Sequence, residues 1–98
     1  MYDDYPAVSL VQLDELGFVA GGDVARFTRE STLPVNTSGG QLSAGQAGAA
    51  GGMHGVVEAV TQLLDGSRVE ARRAVVSGYG MVLYRYGACA NAAVLEAT

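Results

Sequence analysis

One glycine- and alanine-rich stretch constrains this chain more than any other feature. Residues 36–55 read NTSGGQLSAGQAGAAGGMHG and contain seven glycines, four alanines and a single ionisable side chain, His54. An apolar-periodic segment, residues 56–64, follows without a break, so the stretch leads into a helix. Glycine lets a backbone turn sharply and approach another group closely. That group is either a ligand or a second helix.

The glycines of this stretch support two interpretations. A turn through Ser38, Gly39 and Gly40 at a helix start can hold a phosphate with backbone amides. However, the stretch lacks the Lys and Ser/Thr that end a P-loop, and its spacing differs from a dinucleotide-binding fingerprint. Glycines four residues apart, at positions 48 and 52 and at 51 and 55, favour close helix packing. We favour packing and keep the anion site as an alternative.

Composition excludes several classes of function. The 98 residues carry a net charge of −4 and contain no lysine, which argues against a nucleic-acid partner. No apolar run is long enough to span a membrane. The single cysteine, Cys89, cannot form an internal disulfide, so we expect a reducing, cytoplasmic location. A chain of this length forms one domain at most.

The first third of the sequence predicts one helix and a connector. The helix covers residues 6–16, with Asp3 or Asp4 as its N-cap. Its apolar residues occupy more than one face, so we expect it to be mostly buried. Residues 17–32 predict a connector, and residues 33–35 a short strand that contains a proline and therefore starts a strand or lies at an edge.

The rest of the sequence predicts a long helix and two further strands. The helix runs from about residue 46 to 65 and stops at Gly66. Residues 74–77 form an apolar run typical of a strand buried on both faces. Residues 78–80 break this strand, and a second strand covers residues 87–96. The order of elements is that of an α/β fold, but it is too small to cover the glycine-rich helix, so we expect a larger fold or a partner.

Several single residues have both a functional and a structural interpretation. His54 has no second histidine or cysteine within helical reach, so we interpret it as a core or partly exposed histidine and not as a metal ligand. Cys89 lies among alanines and is interpreted as a buried small hydrophobe. Tyr79, Tyr84 and Tyr86 cluster after the predicted strand break, and they either line a substrate or pack as aromatic side chains.

Four blocks of residues together carry a family resemblance. They are Tyr2-Asp3-Asp4-Tyr5, Asn36-Thr37-Ser38-Gly39-Gly40, Ala44-Gly45-Gln46-Ala47-Gly48-Ala49-Ala50-Gly51 and Val76-Ser77-Gly78-Tyr79-Gly80-Met81. In this order they are similar to a His-Asp-Cys-Phe block, an Asn-Pro-Ser-Gly-Gly turn, a Gly-His-Pro-x-Gly-Ala-Thr-Gly helix start and a Cys-x-Gly-Gly-Gly-x loop. The chain therefore resembles the C-terminal part of the thiolase superfamily, in particular sterol-carrier-protein-type thiolases and lipid-transfer-protein-type thiolase-like proteins and aldolases.

The resemblance implies a fold and a set of partners. It implies that residues 1–98 are an incomplete C-terminal half of a thiolase-like αβαβα fold, without the first strand, helix and second strand of that half. The glycine-rich helix would be the buried helix of this α/β half, against a mixed sheet. The N-terminal thiolase half or a homologous subunit would complete the fold, and a small zinc-ribbon/OB-fold protein is a further possible partner.

The resemblance also implies acyl-CoA chemistry in which carbon–carbon bonds form or break, with acyl-CoA as substrate and no cofactor. It implies roles for two catalytic and four substrate-binding residues, which are Tyr2 and Gln46, and Ser38, Gly39, Gly78 and Tyr79.

The departures from the family pattern narrow this expectation. The histidine that activates the nucleophile in thiolases falls at Gln46, whose amide cannot take up a proton at neutral pH. The proton-transferring cysteine falls at Val76. A tyrosine at position 2 resembles the thiolase-like retro-aldolases. We therefore expect a portion of an acyltransferase or retro-aldolase, inactive alone, and keep a non-catalytic thiolase-like scaffold as the alternative.

Overall fold

The structure, a computed structural model, describes residues 1–45, 48–66 and 70–98. Its elements in chain order are α1 (Pro6–Glu15), α2 (Val24–Glu30), α3 (Gly40–Ala44), α4 (Gly51–Asp65), β1 (Arg73–Leu83) and β2 (Tyr86–Glu96), with short 3-10 turns at Ala20–Gly22 and Gly48–Ala50. Helices that accompany a pair of strands make an α/β arrangement, which confirms the predicted fold class.

The two strands form an antiparallel hairpin. Arg73 lies opposite Glu96 and Leu83 lies opposite Tyr86. The described part of the chain therefore contains an antiparallel sheet and not the predicted mixed sheet. The predicted strand break at residues 78–80 is also wrong, because the pairing continues through them. The glycine at position 78 fits the strand because the side chain of Asn91 covers it.

Helix α4 packs on β1 at a point where a glycine permits close approach. A Cβ at Gly55 would lie 3.1 Å from Cγ1 of Val76. The helix starts at Gly51, five residues later than predicted, and Gly48 before it has φ 58°, which is outside the right-handed helical region. It ends where predicted, with Gly66 in the left-handed conformation at φ 61°.

The N-terminal helix α1 differs from its prediction in two ways. Leu13 is its buried residue, whereas Val11 is 60% exposed, so the expectation of a mostly buried helix is wrong within this chain. Only the face that carries Leu13 packs against the rest of the described chain. Tyr5 occupies the N-cap position without a side-chain hydrogen bond, so neither Asp3 nor Asp4 caps this helix.

The predicted connector contains helix α2. Asp23 caps it, and its side chain accepts a hydrogen bond from the backbone N–H of Arg26 at 2.9 Å. The sequence interpretation missed this cap because the helix has only seven residues. Residues 33–35 form no strand, because the described part of the chain offers them no neighbouring strand for pairing.

The described helices and strands leave large apolar side chains uncovered. Val57, Leu64, Leu83 and Val94 are all more than half exposed. None of the described helices combines the length and hydrophobicity that a bilayer crossing requires. Exposed apolar surface of this kind is typical of a region that meets further protein.

The contact between α4 and β1 predicts different outcomes for two glycine-to-alanine changes in one helix. Gly52→Ala meets open space and should raise the free energy of unfolding by about 0.5–1 kcal/mol through reduced backbone entropy. Gly55→Ala should stabilise less or destabilise, because its Cβ must displace Val76. Urea unfolding of the chain, followed by circular dichroism, measures the difference.

The control for this pair is Val76→Ala, combined with Gly55→Ala. Removing the Val76 methyl groups should restore the stabilisation that alanine at position 55 otherwise lacks, relative to Val76→Ala alone. Equal stabilisation by the two single glycine changes would contradict a close contact between α4 and β1.

Candidate functional site

Two of the predicted site residues, Tyr2 and Tyr79, lie together. Their ring centroids are 6.4 Å apart and their planes are inclined by 52°. Tyr79 projects from β1 on the same face as Ser77, because side chains alternate along a strand. Tyr2 lies in the extended segment before α1. The chain thus brings residues from its first and last thirds to one point.

The backbone of Tyr2 is hydrogen-bonded on both sides. Its N–H donates to Oγ of Ser77 at 3.2 Å. Its carbonyl accepts from Nε2 of Gln12 at 2.7 Å, and from Oγ of Ser9 at 3.3 Å. The hydroxyl of Ser77 donates in turn to Oε1 of Gln12 at 2.5 Å. These bonds connect the segment before α1 with both α1 and β1.

A buried carboxylate connects this segment with the glycine-rich turn. Asp3 is only 6% exposed, and its Oδ1 accepts from the backbone N–H of Gln41 at 2.8 Å. Gly40 has φ 64°, and a Cβ there would overlap the Asp3 carboxylate. Glycine at position 40 therefore serves both the backbone conformation and the approach of the carboxylate.

The carboxylate of Asp3 also bears on the anion-binding alternative. It occupies the amide at the start of α3, beside the turn of Ser38, Gly39 and Gly40 that the sequence leaves open as an anion site. A second anion at the same turn would meet like charge. The close approach that the turn permits is therefore to a side chain of the same chain, and the geometry disfavours a phosphate site.

Asn36 forms a second connection between the same two segments. Its Nδ2 donates to the carbonyl of Met1 at 2.9 Å, and its Oδ1 accepts from the α-amino group of Met1 at 2.7 Å. Burial lowers the pKa of this α-amino group, while the carboxylate of Asp3 acts in the opposite direction. Asn36 itself has φ 45°, a left-handed conformation that asparagine tolerates better than most residues.

A cleft of about 710 Å³ lies between these segments, α4 and β1. Tyr2 and Ser38 line it, as do the half-buried His54 and Glu58 of α4. The prediction that His54 is a core or partly exposed histidine is confirmed. Among the described residues, no group of three or more histidines, cysteines, aspartates and glutamates could hold a metal ion.

The other predicted substrate-binding residues have packing contacts. Gly39 has φ 100°, and a Cβ there would be 2.6 Å from Cβ of Ser43. A Cβ at Gly78 would be 2.9 Å from Oδ1 of Asn91. A Cβ at Gly87 of β2 would overlap the ring of Tyr79, so the absence of a side chain at Gly87 leaves room for the ring.

The three clustered tyrosines separate in the structure. Tyr84 and Tyr86 lie at the end of the hairpin and are 90% and 74% exposed, whereas Tyr79 alone meets Tyr2. The prediction that Cys89 is buried is wrong within this chain, because Cys89 is exposed and so are the residues of β2 on either side of it. Burial of β2 requires a surface that the described residues do not supply.

Gln46 and Val76 are two of the three departures from the thiolase pattern. Gln46 lies outside the described residues, so its catalytic role stays a prediction. Val76 is 7% exposed and its side chain faces Gly55 of α4. It contributes packing at the position where the resemblance places a proton-transferring cysteine.

Sequence interpretation missed the polar residues that support the two tyrosines. Gln12 and Ser77 form hydrogen bonds with the backbone of Tyr2, and the backbone N–H of Gln41 donates a hydrogen bond to the carboxylate of Asp3. The signal available for Gln12 was a long polar side chain within the most apolar part of α1. No local pattern marks Ser77, because its partners are 65 and 75 residues away in sequence.

Comparison with known proteins places the chain in a family. The family model described as thiolase C-terminal domain-like matches residues 1–95. The chain belongs to this family. The predicted resemblance to the C-terminal part of the thiolase superfamily is thereby confirmed, and the match runs through both tyrosines.

Two curated relatives of this thiolase-like chain are each 41% identical to it. One is a 17-hydroxy-3-oxo-4-pregnene-20-carboxyl-CoA lyase of Mycobacterium tuberculosis, matched over 69 residues, 64% of this chain and 17% of that protein. The other is a steroid side-chain-cleaving aldolase of Thermomonospora curvata, matched over 75 residues, 70% of this chain and 18% of that protein. The chain thus spans less than a fifth of the length of either relative. The comparison with solved structures gave no significant match.

The contact between Asp3 and Gln41 predicts a large effect of one carboxylate on stability. Asp3→Ala should lower the free energy of unfolding by about 1–3 kcal/mol, because it leaves a buried backbone N–H without its acceptor. Asp4→Ala is the matched control, since it removes a neighbouring carboxylate without touching this contact. Urea unfolding of the two variants gives the comparison, and equal losses would contradict the assigned role of Asp3.

Proposed function

We propose that this chain supplies part of the catalytic site of a thiolase-like acyl-CoA lyase that cleaves β-hydroxyacyl thioesters by a retro-aldol reaction. The observation that carries the proposal is the pairing of Tyr2 with Tyr79 at a ring separation of 6.4 Å. The names of the two relatives, a CoA lyase and an aldolase, support the same class of reaction.

A retro-aldol cleavage requires two proton transfers at neighbouring carbons. A base takes the proton of the β-hydroxyl, whose oxygen becomes a carbonyl oxygen as the bond between the α and β carbons breaks. The electron pair of that bond moves to the thioester as an enolate, which takes a proton at the α carbon. No cofactor is needed. Tyrosine can act in both steps because its hydroxyl donates and accepts hydrogen bonds.

The arrangement of the tyrosines suits these two transfers. Each proton transfer needs a group within hydrogen-bonding distance of its carbon or oxygen. Two phenol rings that lie side by side can bracket two adjacent carbons of one substrate. We assign Tyr2 to proton transfer at one of them and Tyr79 to the other. Gln46 would donate a hydrogen bond to the thioester oxygen as charge develops there.

The side chains at positions 46 and 76 disfavour a Claisen condensation. That reaction, as thiolases carry it out, uses a histidine and a cysteine at the positions that Gln46 and Val76 occupy here. An amide and a hydrocarbon side chain cannot exchange protons with a substrate. Since the tyrosines remain as the paired proton-transfer groups, we favour the lyase over the acyltransferase within this lineage.

The proposed enzyme needs more protein than this chain. The chain spans 17% and 18% of its two relatives, and its helices and hairpin expose apolar side chains. We propose that a thiolase-like half, in the same polypeptide or in a homologous subunit, covers these faces and completes the substrate site. A zinc-ribbon/OB-fold protein is a further candidate partner.

The central test uses the chain together with the polypeptide that completes it. The substrate is 17-hydroxy-3-oxo-4-pregnene-20-carboxyl-CoA, the compound in the name of one relative, and the readout is release of the ketone. Tyr2→Phe and Tyr79→Phe should each lower kcat by about 10²–10⁴-fold, because each removes one proton-transfer group. Tyr84→Phe is the matched control, because it removes the hydroxyl of an exposed tyrosine in the hairpin, and it should retain activity.

Two outcomes of this test contradict the proposal. Full activity of both the Tyr2→Phe and Tyr79→Phe enzymes would remove the tyrosines from the mechanism. Activity that produces a β-ketoacyl-CoA from two acyl-CoA molecules would identify an acyltransferase instead.

A non-catalytic scaffold is the second candidate function. The observation that favours it is Val76, which packs against α4 where thiolases carry a proton-transferring group. Calorimetry with β-hydroxyacyl-CoA separates the two candidates. The completed protein should bind the thioester if it is a lyase, whereas the absence of binding together with a stable complex would support scaffolding.

A further inference from the structure

We propose that Ser77 and Gln12 are positioning residues that fix the backbone of Tyr2 against β1 and so set the separation of the two tyrosine rings. We call this pair the Ser77–Gln12 bridge. Its catalytic consequence rests on the proposed function, whereas its effect on the geometry of the tyrosines does not.

The bridge is a closed cycle of three hydrogen bonds. The N–H of Tyr2 donates to Oγ of Ser77 at 3.2 Å, and the hydroxyl of Ser77 donates to Oε1 of Gln12 at 2.5 Å. Nε2 of Gln12 returns a bond of 2.7 Å to the carbonyl of Tyr2. Both polar groups of the Tyr2 backbone are therefore held by one pair of side chains from two different elements.

Each donor and acceptor in the cycle has a fixed direction. Nε2 of Gln12 also donates to the carbonyl of Val8 at 2.9 Å, so both of its protons point at carbonyl oxygens. The amide oxygen must then face Ser77. The single hydroxyl proton of Ser77 has two acceptors within reach, Oε1 of Gln12 at 2.5 Å and the thioether sulfur of Met1 at 3.5 Å, and the amide oxygen is the nearer and stronger acceptor. A cycle in which each partner determines the next resists small displacements better than separate bonds do.

The buried polar residues of the described chain lie in this region. Among the residues whose burial is described, the buried polar ones are Asp3, Gln41 and Ser77, and the buried apolar ones are Leu13, Val19 and Val76. All three polar residues belong to the hydrogen bonds around the Tyr2 segment. Gln41 takes part through its backbone N–H, and its own side-chain Oε1 is buried without a hydrogen-bond partner among the described residues, whereas Asp3 and Ser77 take part through their side chains. A small domain normally buries polar side chains when they are hydrogen-bonded, so the bonded Asp3 and Ser77 indicate a defined geometry for the Tyr2 segment.

The bridge reaches Tyr79 through the spacing of β1. Ser77 and Tyr79 are two residues apart on one face, a separation of about 6.6 Å at the usual rise of a strand. The rings of Tyr2 and Tyr79 have their centroids 6.4 Å apart. Anchoring Tyr2 at Ser77 therefore lays its ring beside that of Tyr79.

Loss of the serine hydroxyl should release this geometry without unfolding the chain. Ser77→Ala leaves the strand intact but removes an acceptor from Tyr2 and a donor to Gln12. The carbonyl of Tyr2 keeps its bonds from Gln12 and Ser9, but its N–H loses the bond to β1. Proton transfer is sensitive to such shifts, since a misplacement of about 1 Å can cost about 10²-fold in rate.

The test compares Ser77→Ala with Ser77→Thr in the completed protein labelled with 3-fluorotyrosine. The ¹⁹F signals of Tyr2 and Tyr79 are assigned from the corresponding phenylalanine variants. Gly87→Ala provides the sensitivity control, because its Cβ must displace the ring of Tyr79. Ser31→Ala, in the exposed connector, controls for loss of a hydroxyl elsewhere.

The proposal expects three results together. Ser77→Ala should move the ¹⁹F signals of both tyrosines, and it should lower kcat by about 10- to 100-fold while KM changes little. Ser77→Thr, which keeps a hydroxyl and suits a strand, should restore the signals and most of the activity. Ser31→Ala should leave both readouts as in the unmodified protein.

Two results would overturn it. One is a pair of unchanged tyrosine signals in Ser77→Ala while Gly87→Ala moves that of Tyr79. The other is unchanged kcat in Ser77→Ala when Tyr2→Phe reduces kcat strongly. If neither phenylalanine variant loses activity, the lyase proposal fails, and the ¹⁹F signals still decide whether the bridge sets the tyrosine geometry.

Discussion

The hydrogen bond from the backbone of Gln41 to the buried carboxylate of Asp3 is the contact on which the site depends. It joins segments 38 residues apart, and the overlap that any Cβ at Gly40 would cause shows how closely they approach. Through this contact the glycine-rich turn is fixed beside the segment that carries Tyr2. The glycine-rich turn thus permits the close approach of a carboxylate from the same chain, so its glycines alone do not indicate a phosphate site.

Strand β1 connects this anchored segment with the rest of the fold. Its alternating side chains divide two tasks, since Val76 faces Gly55 of α4 while Ser77 and Tyr79 face the Tyr2 segment. A hydrocarbon side chain at position 76 suits a packing contact and cannot transfer a proton. The tyrosine pair lies at the opposite face of the strand, which is the physical basis for proposing a tyrosine-dependent lyase rather than a thiolase reaction.

Sequence reasoning predicted what local signals encode. The α/β class, the stop of α4 at Gly66 and the family followed from glycine position, periodicity and ordered motifs. Contacts between distant residues left no such signal, so Asp3 was interpreted as a local cap, and Ser77 was named within a motif but given no role of its own. The predicted break in β1 failed because a glycine in a strand can be covered by a cross-strand side chain, here Asn91. Burial of α1 and Cys89 was overestimated because it requires surfaces from outside this chain.

The site geometry depends on contacts within this chain, whereas the apolar faces are left uncovered by it. The segment of Tyr2 is held by hydrogen bonds whose donors and acceptors all lie in this chain, and the described residues bury as many polar as apolar side chains. The exposed faces of α4 and β2 have no covering surface among the described residues, and the chain spans 17% and 18% of its two relatives. The relative placement of the two tyrosines is therefore specified by contacts within this chain. In the proposed enzyme, the completed fold would exclude water and enclose the substrate around a tyrosine pair that this chain already holds together.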